Sequence, residues 1–216
     1  ALPIYVPRPA PGLALIVRAW WSEMTCALKV FLWWQPFRSL AVEDHLPERP
    51  TGRRGVVLIH GFMCNRGLWM RWFPALRERG HAHVAVNLEP LWGSIDSYVP
   101  LIDDAVKKVT QATGMPPVLV CHSMGGLAAR AWLRAGLKTQ GAGRPMVRRA
   151  ERVITLGTPH HGTLLAKLNV LTLVRNAQQM RQNSRWLRAL QTATRQAGAP
   201  RGVLVVEESS FVQRFG

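Results

Sequence analysis

A chain of 216 residues, 48% of them hydrophobic, is long enough to bury one substantial core. Its 28 lysine and arginine residues against 12 acidic ones give a formal charge of +16, which is either a solvated basic surface or a footprint for an anionic partner. With no RNA- or DNA-module signature, nucleic acid is the weaker partner and an anionic membrane surface the stronger, and the odd, unspaced set Cys26, Cys64 and Cys121 excludes a disulfide framework or a zinc site.

The chain opens with Pro3, Pro7, Pro9 and Pro11, followed by an apolar stretch over residues 13–34 that Arg18, Glu23 and Lys29 interrupt. A membrane-spanning helix needs about 20 mostly apolar residues, and these charges argue against one. Paired tryptophans and basic residues fit a helix lying in a membrane interface. A helix packed on the domain's own core fits as well. Nothing ahead of it resembles a secretory signal with a cleavage site, so a membrane-associated or cytoplasmic location is expected. A polar connector over 43–54, with Pro47 and Pro50, separates this N-terminal segment (residues 1–54) from a globular domain (residues 55–216).

From residue 55 onward, short apolar runs alternate with helical patterns. That alternation predicts an α/β fold with a mostly parallel sheet and helices on both faces. Residues 55–60 read as a strand buried on both faces, ending at a His60-Gly61 turn. A helix is predicted over 67–79, ended by Gly80, and a strand over 81–87. Asp96 or Ser97 caps the next helix, whose core stripe is Leu101, Ile102, Ala105, Val106 and Val109. Gly114 closes it in left-handed geometry.

A strand over 117–121 runs into Ser123, and a helix over 125–135 turns Leu127, Ala128, Ala131 and Trp132 inward before Gly136 stops it. A fourth strand is predicted over 152–156 and a mostly helical, basic and apolar stretch over 164–190. Residues 202–206 form a short strand that ends at Glu207.

Ser123 is the candidate nucleophile. A Gly-x-Ser-x-Gly elbow puts serine on a tight strand-to-helix turn, with small residues two before and two after because strand and helix nearly collide. Here these positions hold Cys121 and Gly125. The helix that follows directs its positive end and the Met124 amide at a developing oxyanion, and the Phe62 amide, on the earlier His-Gly turn, is the second donor. His60, Gly61 and Trp92 are candidate substrate-binding residues. Phe62, Met63, Trp69, Leu91 and Trp92 suit a lipid-like acyl chain, although Trp69 reads better as core. No metal or cofactor is called for.

His60-Gly-Phe62, Cys121-His-Ser-Met-Gly-Gly126 and Leu156-Gly-Thr-Pro-His-His-Gly-Thr163, in this order, resemble the bacterial triacylglycerol-lipase and esterase branch of the α/β-hydrolases. The resemblance spans roughly residues 55–190 and implies the α/β-hydrolase fold. It also implies carboxylic-ester hydrolysis of a small-molecule or lipid ester through an acyl-Ser123 intermediate.

In that family an acid follows a later strand and a histidine sits near the C-terminus. Here no aspartate lies beyond Asp104 and no histidine beyond His161. Glu207 is the acid in the right order, and the histidine is unassigned. His122 points away from the nucleophile's side and His60 belongs to the oxyanion turn; the resemblance implies a structural or pocket-wall role for His160 and His161, which are also the nearest remaining candidates for a surrogate base. A truncated or frame-shifted hydrolase, its fold incomplete at the C-terminus, is the expectation. A catalytically impaired membrane-associated remnant lacking the histidine is the alternative.

Overall fold

The computed structural model of the protein describes residues 12–138, 150–163, 166, 174–196 and 203–206. Within them β1 (Val56–Ile59), β2 (His83–Val86), β3 (Val118–His122), β4 (Arg152–Leu156) and β5 (Val203–Val206) form one sheet in the order β2-β1-β3-β4-β5. Every pairing is parallel, with Val56 opposite both His83 and Val118. The chain runs from β1 to β2 on one side, then crosses to β3 on the other. The carboxyl ends of β1 and β3 therefore flank the point where strand order reverses, the place where open α/β sheets form a crevice.

Both faces of the sheet are covered, which is why the strands read as continuous apolar runs and not as alternating ones. Val57, Ile59, Leu119 and Cys121 pack in one cluster with Ile102 and Val106 of α4 (Val99–Thr113) and Leu127 and Trp132 of α5 (Met124–Lys138). Leu187 and Leu190 of α7 (Arg185–Gln196) join the same cluster. Val56, Leu58, Ala85 and Val120 pack on the other face against Trp69 and against Phe73 of α3 (Trp72–Glu78).

Several local expectations are corrected. The helix expected over 67–79 is split into a 3-10 turn, Arg66–Trp69, and α3, because the Asn65 side chain accepts from the Gly67 amide and starts a separate turn. The cap of the next helical stretch is Ser94, whose Oγ accepts from the Asp96 amide at 3.2 Å, and a 3-10 turn, Ile95–Tyr98, precedes α4. Ile102, Ala105, Val106 and Val109 are buried as expected, but Leu101 is 36% exposed. At about 100° per residue it falls off the inward stripe. Gly114 does close α4, at φ 70. Gly136 does not stop α5, since packing of a buried helix offsets the roughly 1 kcal/mol that an interior glycine costs.

The N-terminal helix comprises α1 (Leu13–Leu28), a π-helical turn (Lys29–Trp34) and α2 (Gln35–Phe37). No helix among the described residues is long and apolar enough to cross a membrane. After it the connector runs along the sheet's β2 edge. His45 exchanges backbone hydrogen bonds of 2.9 and 2.8 Å with His83, and the Asp44 carboxylate accepts from the Ala85 amide at 3.0 Å and from Arg66 at 2.8 Å. The connector thus occupies backbone groups that an open edge strand would expose.

Candidate active site

Ser123 sits between β3 and α5 at φ 50, a left-handed conformation costly for a residue with a Cβ. Three hydrogen bonds hold it there. Its amide donates to the Leu156 carbonyl at 2.8 Å, and its own carbonyl accepts from the Thr158 hydroxyl at 2.8 Å and the Gly126 amide at 3.1 Å. The glycines that follow are required by space. A Cβ on Gly125 would lie 2.6 Å from the carbonyl oxygens of Ile59 and His60, and one on Gly126 would overlap the Thr158 side chain. Cys121, two before the serine, is fully buried in the core cluster, so its Cβ is accommodated.

The turn after β1 leans directly on this elbow. A Cβ on Gly61 would come within 2.8 Å of Ser123 Cβ and 3.1 Å of His122 Nδ1, so only glycine permits the approach. The Cys64 amide donates to the Gly61 carbonyl at 3.3 Å and closes the turn, with Met63 at φ 54. Phe62 occupies the first central position of that turn, where the amide is not consumed by the closing bond. Met124 begins α5, and the first amides of a helix have no acceptor within it. The Phe62 ring meets Trp92 edge-on at 5.8 Å, and Trp92 is 49% exposed.

His60 is a brace for this turn. The Leu88 amide donates to its Nε2 at 2.9 Å, which fixes the proton on Nδ1, and Nδ1 donates to the Gly61 carbonyl at 2.8 Å. Burial brings its pKa down to about 4, so the ring stays neutral with both nitrogens engaged. His160 is committed in a similar way. Its Nδ1 lies 3.4 Å from Arg130 Nη1 and its Nε2 3.2 Å from Thr155 Oγ1. Burial, then the Arg130 charge, lower its pKa to about 4. His122 is half-buried, with its pKa lowered by burial and its Nδ1 lacking a hydrogen-bond partner beside Gly61. His161 is exposed in the loop after β4. Glu207 lies outside the described residues.

Two features escaped the sequence. Thr158 holds the elbow from 35 positions away, and only its place after β4 hinted at a role. A cleft of about 380 Å³ beside the Gly61–Cys64 turn is lined by Met63, Leu88 and Leu91, but also by Phe31, Gln35 and Pro36 of the N-terminal helix. No periodicity connects those two segments.

A model of the alpha/beta hydrolase family matches residues 56–214. No curated protein sequence matches the chain. Among solved structures, the Bacillus licheniformis lipase BlEst2 in its mature form is similar at 19% identity and TM-score 0.56, over 70% of this chain and 63% of that one. Phospholipase PlaB from Legionella pneumophila is similar at 18% identity and TM-score 0.57, over 72% of this chain and 37% of that one. Aspergillus fumigatus lipase B is similar at 16% identity and TM-score 0.55, over 71% and 38%. At such identities the likeness is one of fold, and the chain spans between 37% and 63% of the lengths of these proteins.

Proposed function

Because the chain belongs to the alpha/beta hydrolase family, we propose that it carries the nucleophile and oxyanion site of a hydrolase acting on carboxylic esters with lipid-like acyl groups. The observation that carries this reading is Ser123 at φ 50 on the β3–α5 turn, with the Gly61 turn packed against its Cβ. Ser123 Oγ adds to the ester carbonyl as its proton passes to solvent water, from which the leaving alkoxide later takes one. The Phe62 and Met124 amides receive the oxyanion, and one such donor is typically worth about 10²–10³ in rate. Collapse expels the alcohol with a proton and leaves acyl-Ser123. Water adds to that carbonyl, releasing the acid and restoring the hydroxyl. Glu207 is the acid of this reading. The base is assigned to neither His60 nor His160, whose ring nitrogens are engaged.

The lipid-like acyl group is supported by the apolar cleft side chains Phe31, Met63, Leu88 and Leu91 and by the Phe62–Trp92 ring pair on the neighbouring segments. Structurally similar proteins that are named lipases and a phospholipase point the same way. The occupied nitrogens of His60 and His160 favour a second reading, in which the protein retains this architecture with little turnover.

Fluorophosphonate labelling followed by peptide mapping tests the assignment. A single adduct on Ser123, absent from Ser123→Ala, is expected; no adduct at Ser123, or equal labelling of the variant, overturns it. The pH profile separates the two readings. Without a histidine base the rate rises about tenfold per unit from about pH 6 to about pH 9, following the alkoxide fraction. A base of ordinary pKa, which works only when neutral, gives a plateau above about 6.5. A base held near pKa 4, as His60 and His160 are, gives a flat profile across the range.

A further inference from the structure

The N-terminal helix presents an apolar face that nothing among the described residues covers. From Leu13 to Phe37 it is continuous and about 37 Å long at about 1.5 Å per residue. No residue of α1 is buried. Leu13, Ile16, Val17, Trp20, Met24 and Leu28 recur at helical spacing along one side, each at least 42% exposed. Trp21, at 65% exposure, and the exposed Glu23 border that stripe on its two edges, while Arg18, Ser22 and Lys29 stand exposed on the opposite flank together with Leu15 and Trp33.

Among the described residues, only the carboxyl-terminal end of the helix is fastened to the domain. The Gln35 side-chain oxygen accepts from the Asn65 amide at 2.8 Å, and the Asn65 side chain donates to the Gln35 carbonyl at 2.9 Å. Arg71 lies over the Trp34 ring, and a Cβ on Gly67 would reach within 2.9 Å of the Trp34 carbonyl oxygen. The helix is therefore anchored at its carboxyl-terminal end while α1 has no buried residue.

We propose that this stripe docks in the plane of an anionic lipid bilayer. An apolar stripe that carries Trp20 and is edged by Trp21, with Arg18 and Lys29 on the far side, is the pattern of a helix seated at the headgroup boundary. The formal charge of +16 decides between occupants. It repels a second copy of the chain and attracts an anionic surface. Docking has a second consequence, which rests on the function proposed above. Phe31, Gln35 and Pro36 belong to the helix and also wall the cleft beside the oxyanion turn, so the bilayer lies next to the cleft.

Co-sedimentation with phosphatidylserine-containing and pure phosphatidylcholine vesicles tests the docking. The wild type is expected to bind the anionic vesicles and to lose at least about tenfold in affinity as salt rises from about 0.1 M to about 1 M, where the screening length shrinks from about 10 Å to about 3 Å. Ile16→Glu/Trp20→Glu, both changes on exposed positions, should weaken binding at least about tenfold without moving the thermal midpoint. If that variant does not fold, Arg18→Glu/Lys29→Glu serves instead and should weaken binding to the anionic vesicles alone. Equal binding to both vesicle types overturns the proposal. So does a concentration-dependent dimer that the variant abolishes with no vesicle binding. Ser123→Ala should bind as the wild type does, which separates a failure of docking from a failure of the chemistry.

Discussion

Gly125 and Gly114 are both glycines near helix ends, yet different physics requires each. At Gly114 the backbone is left-handed, φ 70, with no atom within 4 Å of a would-be Cβ. Gly114→Ala should therefore cost only the conformational penalty, about 1 kcal/mol. At Gly125 the penalty is steric: a Cβ meets two backbone carbonyl oxygens at 2.6 Å, and backbone cannot swing aside. Gly125→Ala should destabilise by about 1–3 kcal/mol, as overpacking does, and should also displace Ser123. Urea midpoints measure the first effect and fluorophosphonate labelling the second. Labelling preserved in Gly125→Ala but lost in Gly114→Ala would contradict this assignment. The small residue after the serine was legible in the sequence because the motif is local. The Gly61–Ser123 approach, across two βα units, was not.

At the scale of elements, Asp96 ties three helices to the 3-10 turn ahead of α4. Its carboxylate accepts from Arg134 of α5 at 2.5 Å, from Gln179 of α6 (Arg175–Met180) at 3.1 Å and from Trp186 of α7 at 2.7 Å. Arg134 also lies over the Trp186 ring. In sequence Asp96 looked like a helix cap. Its function as a tie could not be read there, because its partners stand 38 to 90 positions away. Asp96→Ala leaves Arg134, with 18% of its side chain exposed, and the Trp186 indole short of acceptors. A loss of about 2 kcal/mol is expected from removing several charge-assisted hydrogen bonds at once. Calorimetry checks it, and an unchanged midpoint would mean that α6 and α7 are held by packing alone.

For the whole molecule, His60 makes stability depend on acidity. The folded pKa of about 4 lies below the ordinary value of 6.5, so the unfolded chain binds a proton first as pH falls. Stability should be complete above about pH 6.5 and decline between there and about pH 4, by on the order of 3 kcal/mol from this residue. His160, only half-buried, adds to the decline in the same direction. His60→Gln should flatten the dependence of the urea midpoint on pH; an unaltered slope would show that other groups govern it. The sequence by itself determined the parallel α/β architecture, the inward faces of α4 and α5 apart from Leu101, and the position of the serine elbow. Those features follow from periodicity and from turn chemistry within a few residues, which a linear reading can see. Only the tertiary structure decided that His60 and His160 have both ring nitrogens engaged, that Thr158 and Asp96 hold distant segments, and that the N-terminal helix walls the cleft while no described residue covers its apolar stripe. Each of these depends on where hydrogen-bond partners and packing surfaces meet after the sheet assembles, and spacing along the chain carries no record of that meeting.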